Sequence, residues 1–303
     1  YASFVCDHRP LKDEEWRIRL VVGGDKLPYD ADSGSPATDL LETKMLFNSV
    51  ISDAKKYGAK FLSMDLKDMF LHTPMKKPEY MKVHLKYFPD DIIQQYALND
   101  LAHNGYIYIK IKKGMYGLKQ ASVLAYQNLT KLLTDGGYEH ILGSLGMWKH
   151  KTRRTIFCLC VDDFGVKYFS KEDVQHLHDT IAKEYTCKID WSGENFIGYK
   201  IKWDYERGFV DISIPDYIQN ALKRLGYKVS ISPQYSPHEH VGVNWTNKGD
   251  RQYAQQPDDS PFLDKAGTKY VQQVVGVFLY YARALDSTML PALNQIGAQQ
   301  AQP

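Results

Sequence analysis

TIFCLCVDDFGVKYF, residues 155 to 169, decides the fold class. Two short apolar runs, Thr155 to Val161 and Phe164 to Phe169, flank the adjacent carboxylates Asp162 and Asp163. That pattern predicts a β-hairpin with the acidic pair at its tip. Two like charges held at the mouth of a buried hairpin cost free energy unless a cation or a proton relieves them. Asp is also an ordinary turn residue, so the pair alone does not establish chemistry. A third carboxylate sharpens the reading. The run AKFLSMDL predicts a short buried strand ending near Asp65, and strand-end carboxylates suit Mg²⁺ ions that keep some water and take phosphate oxygens as remaining ligands.

Working outward, LETKMLFNSVISDAKKYG (41 to 58) reads as an amphipathic helix closed by Gly58. Residues 121 to 137 form a second helix stopped by two glycines, and Ser170 caps a third running to Tyr185. NFIGYKIKW and GFVDISI make a hairpin across DYER, followed by a short helix from Pro215 to Gly226. Residues 231 to 264, rich in Pro, Ser, Asn, Gln and Asp, read as a linker. After it, Val271, Val274, Val275, Phe278 and Leu279 share one face of a helix. Alternating helices and hairpins predict an α+β fold.

The chain has 303 residues, 44% of them hydrophobic, enough for about two globular units. It has no run of about 18 apolar residues and no signal-peptide pattern, so a soluble, intracellular protein without a membrane partner is expected. Beginning at Tyr1 and ending on an uncapped polar tail, it reads as a piece of something longer. Its four cysteines lack zinc or disulfide spacing, and a net charge of +2 does not by itself announce nucleic acid. Asp163-Phe164-Gly165 spells D-F-G, yet the glycine-rich loop, strand lysine and H-R-D loop of a protein kinase do not precede it.

Several segments together carry a resemblance to the reverse transcriptases of LTR retrotransposons of the Ty1/copia type. SMDLKDMFLHTPM (63 to 75) resembles their first catalytic motif, and IKIKKGMYGLKQAS (109 to 122) their K-x-x-x-YGLKQA segment. CVDDFGVKYF is similar to the Y-V-D-D hairpin, NFIGYKIKW to the primer-grip hairpin, and RIRLVVGGDKL (17 to 27) to a fingers strand. VVGVFLYYARALDSTM is similar to the segment after the thumb. The matches span nearly the whole chain in the family's order.

The resemblance implies a right-hand polymerase with an antiparallel palm sheet. Residues 1–205 would be fingers and palm, 206–235 the thumb, and 236–303 a linker and partial connection region, with RNase H absent. It implies RNA-directed and DNA-directed DNA synthesis on a primed RNA or DNA template, using dNTPs. Asp65, Asp162 and Asp163, with the backbone carbonyl of Leu66, would hold two Mg²⁺ ions, for which Mn²⁺ can substitute. Phe70 would exclude a ribose 2′-hydroxyl, Gln120 would lie beside the dNTP, and Arg17 and Arg19 would clamp the triphosphate. Lys113 and Lys119, within a lysine cluster that also holds Lys110 and Lys112, would line the template path. Gly198 and Tyr199 would form the primer grip, and Lys183 or Lys188 would protonate pyrophosphate. By family analogy the enzyme works in cytoplasmic virus-like particles.

Two departures stand out. Cys160 occupies the position where the family has Tyr, beside the primer terminus, and the stretch from Tyr80 to Ile109 is long enough to imply an enlarged fingers loop. The Cys160 departure keeps open an alternative, a catalytically decayed fold that only binds nucleic acid.

Overall fold

A computed structural model describes residues 2–8, 15–30, 33–228, 232, 243–245, 251–253 and 261–299. The chain divides into two compact units, residues 1–197 with 201–210, and residues 198–200 with 211–303. Both mix helices with antiparallel strands, as expected of an α+β protein.

In the first unit, β1 (Ala2–His8) and β2 (Trp16–Val22) form a hairpin, and α1 (Leu40–Tyr57) leads into β3 (Lys60–Lys67). The helix starts where expected because Asp39 and Glu42 make a reciprocal capping box, and it stops at Gly58, whose φ of 71° suits glycine. A short turn of helix, α2 (Met69–His72), precedes β4 (Pro74–His84). Helices α3 (Asp90–Gln95) and α4 (Leu98–Leu101) then lead to β5 (Tyr106–Lys113), which pairs with β4. The long stretch after Tyr80 is therefore a two-stranded arm whose connection carries two helical turns, rather than a plain loop.

The unit continues through α5 (Ala121–Asp135), β6 (Tyr138–His140), β7 (Met147–His150), β8 (Ile156–Cys160), β9 (Asp163–Tyr168), α6 (Lys171–Ala182), β10 (Thr186–Asp190) and β11 (Asn195–Phe196). Six strands make one sheet in the order β10-β3-β9-β8-β7-β6. Alternation sorts its side chains onto two faces. Leu62, Met64, Leu66, Leu159, Phe164 and Val166 bury one face against Leu129 and Leu133 of α5 and Val174, Leu177 and Ile181 of α6. The other face carries Phe61, which packs edge-on against Phe47 of α1. Both faces are covered over much of β8 and β9, which is why these strands read as near-continuous apolar runs. Each fully buried Leu, Val or Phe contributes roughly 1.5–3 kcal/mol.

The division between units passes through the hairpin of β12 (Tyr199–Asp204) and β13 (Phe209–Ser213). Asp204 fixes its turn by accepting from the N–H groups of Arg207 and Gly208. The second unit continues with α7 (Tyr217–Arg224), β14 (Val243–Trp245), β15 (Arg251–Tyr253), α8 (Lys265–Ala284) and α9 (Leu290–Ala298). The expected helix from Pro215 begins two residues later. Asp216 sits in the left-handed region with φ 59° and its side chain makes no cap. The expected linker, where described, holds the antiparallel pair β14 and β15; most of it lies outside the described residues. In α8, Val271, Val274, Val275, Phe278 and Leu279 are shielded while Gln272, Gln273 and Gly276 are exposed, matching the helical spacing. Tyr217 of α7 donates to the Val277 carbonyl of α8 at 2.8 Å. No helix among the described residues is long and apolar enough to cross a membrane.

Candidate active site

The acidic hairpin forms where the sequence predicts it, with one refinement. Cys160 pairs directly with Asp163, so the turn is the two-residue Val161-Asp162, and Asp163 is already the first residue of β9. Of the two turn residues only Val161 has positive φ, at 59°. In a two-residue hairpin turn with positive φ only at its first position, that position ordinarily belongs to glycine. A β-branched residue there is a backbone outlier, and it costs roughly 1–2 kcal/mol. The sheet holds the strain, because the Leu66 N–H donates to the Asp162 carbonyl at 3.1 Å, tying the turn to β3.

Register brings the carboxylates together. Asp65 lies directly across from Asp163, two residues before the end of β3. On the next strand out, Lys188 lies directly across from Asp65. Directly opposed residues in antiparallel strands share a face, so Lys188, Asp65, Asp163 and Cys160 form one row across β10, β3, β9 and β8. Of the two lysines offered by the sequence, Lys188 stands in that row, whereas Lys183 follows the end of α6.

Electrostatics at the strand ends and their turn follow from burial and neighbours. Burial pushes the Asp162 carboxyl above the usual carboxylate range, the Asp65 charge pushes it further, and the Arg17 and Arg19 guanidinium groups pull it partly back. The two arginines predicted as phosphate donors are thus close enough to act on the Asp162 charge. They share one face of β2, as their alternation requires, and Arg19 also reaches Asp7 at 3.7 Å. Burial raises the Cys160 thiol, helped by Asp163 and Asp162, and keeps it protonated.

Around this row stand the other predicted residues of the first unit. Phe70 is half-buried in α2 and meets the Tyr116 ring edge-on, with centroids 5.5 Å apart. Tyr116 also lies beneath the Arg19 guanidinium, 5.3 Å from its centroid, and its carbonyl accepts from Val22 N–H at 2.9 Å. In the sequence the only mark of Tyr116 is its place between two glycines in GMYGL. Gly117 permits the approach, since its φ is 94° and a Cβ there would overlap the Val22 carbonyl.

Gln120 is buried, and its amide donates to the Glu79 carboxylate of β4 at 3.0 Å. Glu79 too was not legible, because the contact joins residues 41 positions apart. Lys113 is exposed at the end of β5, and Lys119 donates to the Leu27 carbonyl at 3.1 Å. Gly198 and Tyr199 belong to the second unit. Gly198 has φ 87°, and burial pushes the Tyr199 phenol up to about 12, with Tyr280 of α8 adding to the shift.

Hard oxygen donors of this kind suit Mg²⁺, which is held by one or two carboxylates and completes its shell with water and substrate phosphates. Among the described residues, no three His, Cys, Asp or Glu side chains already converge as a preformed metal cage. The mutual charge of Asp65 and Asp162 is nonetheless of the kind a divalent cation relieves.

A family model described as reverse transcriptase (RNA-dependent DNA polymerase) matches residues 4–239. The Ty1-DR5 and Ty1-LR2 transposon Gag-Pol polyproteins of Saccharomyces cerevisiae are each 24% identical over 237 residues. The match covers 74% of this chain and 12% of each polyprotein, so the chain spans a small part of the relatives' length. Among solved structures, apo telomerase from Candida Tropicalis, truncated from its C-terminal domain, aligns with a TM-score of 0.31 and 12% identity. That alignment covers 60% of this chain and 41% of the telomerase chain.

Proposed function

Because this chain belongs to the reverse transcriptase (RNA-dependent DNA polymerase) family, we propose that it extends a primer 3′-hydroxyl with dNTPs on an RNA or DNA template, as the polymerase part of a Ty1/copia-type Pol polyprotein. The observation that carries the reading is the row in which Asp163 faces Asp65, with Asp162 tied to Leu66 at the same strand ends. In this reading the first unit contains fingers and palm, the β12–β13 hairpin contains the primer grip, and the segments after it contain thumb and partial connection region.

Asp65, Asp162, Asp163 and the Leu66 carbonyl would hold two Mg²⁺ ions, which supply charge neutralisation for attack of the 3′-hydroxyl on the α-phosphate and for departure of pyrophosphate. The protein's own groups do the rest. Arg17 and Arg19, already within range of Asp162, donate to the triphosphate. The Phe70 ring, braced by Tyr116, occupies the space a 2′-hydroxyl needs. Gln120, held by Glu79, contacts the nucleotide, and Lys188 beside Asp65 gives a proton to pyrophosphate. Lys113 and Lys119 face the template, and Gly198 and Tyr199 meet the primer end. Cys160, beside Asp163, leaves more room at the primer terminus than a tyrosine would.

Primer extension on matched RNA and DNA templates, with and without EDTA, tests this. Extension of both primers, abolished by the chelator, is the expected result; duplex binding without extension on either template contradicts it.

A further inference from the structure

A cavity of 270 Å³ opens at the other end of the same sheet, lined by α1, the β7–β8 turn and the end of β9. Four cationic side chains, Lys149, Arg153, Arg154 and Lys167, line it against one carboxylate, Asp53. Asp53, Asp173 and Glu139 pair with Lys167, Arg153 and Lys149, so the charge left uncompensated at the cavity is that of Arg154. Lys167 lies four residues beyond Asp163, roughly 13 Å along β9, so the cavity is separate from the aspartate row.

The cations differ in what they can still offer. The Lys167 ammonium, nearly fully buried, is saturated by Asp53 Oδ2 at 2.7 Å and by the Ser49 carbonyl and hydroxyl. It therefore cancels the Asp53 charge that would otherwise repel an anion. Arg153 is engaged by Asp173 at 3.0 Å, and Lys149 by Glu139 at 3.3 Å. Arg154 has no carboxylate partner among the described residues. Its guanidinium stacks on Phe169, 3.8 Å from the centroid, and lies 5.0 Å from the Tyr57 centroid. Stacking fixes the plane and leaves the N–H edge able to donate.

Beside it, Thr155 is fully buried, and its hydroxyl has no hydrogen-bond partner. A buried unsatisfied hydroxyl costs about 1–3 kcal/mol. Thr155 belongs to the lining of the cavity, so a ligand oxygen admitted by a small shift of this side chain would satisfy the hydroxyl. His150 does not compete for the ligand. Burial holds its imidazole below the usual range and hence neutral, and its Nδ1 accepts from the N–H groups of Thr152 and Arg153, which shapes the turn that presents Arg154.

We propose that this cavity binds a phosphate group, with Arg154 and Thr155 as its donors, beside a Lys167–Asp53 pair that leaves no uncompensated carboxylate to repel it. The phosphate belongs either to a free anion or to a nucleic-acid strand passing behind the sheet. This assignment stands independently of the polymerase reading.

Equilibrium dialysis of the full chain with radiolabelled inorganic phosphate tests it, comparing the wild type with Arg154→Gln, Thr155→Val and Asp162→Asn. Arg154 is exposed and valine matches threonine in shape, so both site variants keep the fold, which thermal melting checks. Loss of a charge-assisted hydrogen bond weakens phosphate binding at least about tenfold in Arg154→Gln, and Thr155→Val weakens it several-fold. Asp162→Asn leaves it unchanged. A second arm measures anisotropy of labelled dT12. Weaker dT12 binding by Arg154→Gln identifies a strand as the source, and unaltered dT12 binding with lost phosphate binding identifies a free anion. Phosphate bound equally by the wild type, Arg154→Gln and Thr155→Val overturns the site, as does uptake abolished by Asp162→Asn alone.

Discussion

The Leu66 N–H donates to the Asp162 carbonyl at 3.1 Å, so the turn that carries one carboxylate is fastened to the strand that carries another. Backbone bonding thereby holds Asp162 beside Asp65 although each charge raises the cost of the other. The repulsion is part of the native state, and a cation is one way to relieve it.

Asp162→Asn should therefore be at least as stable as the wild type without divalent metal. The Asp162 carboxyl lies above its ordinary value of 3.8, so the native state holds that proton to higher pH than the unfolded chain. Its unfavourable contribution is absent below the unfolded value and grows as pH rises through the raised one. In melting experiments from pH 3.5 to 7 the gap between variant and wild type should open with rising pH. Mg²⁺ should raise the wild-type melting temperature more than the variant's. A gap that closes with rising pH would contradict the assignment.

Phe70→Val should admit ribonucleotides. Trimming a half-buried ring costs about 1–2 kcal/mol of stability, which the domain tolerates, while the barrier to a 2′-hydroxyl disappears. Single-nucleotide insertion should show a marked fall in the dNTP to rNTP preference; an unchanged ratio removes Phe70 from that role.

Val161→Gly separates strain from stability. Glycine accepts the positive φ but orders more backbone, so the unfolding free energy should change by less than about 1 kcal/mol. Val166→Gly, at a fully buried position of β9, should cost more than about 3 kcal/mol. The looser turn in Val161→Gly should slow incorporation. Equal destabilisation by both substitutions, read by denaturant titration, would mean the turn stores no strain.

Glu79 accepts from the Gln120 amide, so under the proposed reading it positions that residue. Glu79→Ala should raise KM for dNTP several-fold with little change in kcat, and Glu79→Gln, which keeps an accepting oxygen, should restore it. An equal loss by both variants, or a loss confined to kcat, would show that Gln120 does not depend on this bond.

Much of this arrangement is legible in the sequence, for identifiable reasons. The acidic hairpin, the capped helix α1 and the apolar face of α8 depend on local pattern, cap chemistry and periodicity. Contacts joining distant segments are not written locally. The Glu79 bond to Gln120, the double packing of Tyr116 on Arg19 and Phe70, and the placement of Lys188 across from Asp65 all follow from strand pairing that no single stretch encodes. The second unit shows the same limit. A polar, proline-rich stretch reads as linker, yet its described part pairs as β14 and β15.

The most direct measurement is extension of an oligo(dT) primer on poly(rA) with dTTP and Mg²⁺, comparing this chain with Asp162→Asn. Steady extension by the wild type and a loss of about a hundredfold to a thousandfold in the variant, with primer–template binding retained, is the expected result when a transition-state charge contact is removed. Extension that survives the substitution, or its absence from both proteins despite intact binding, would contradict it.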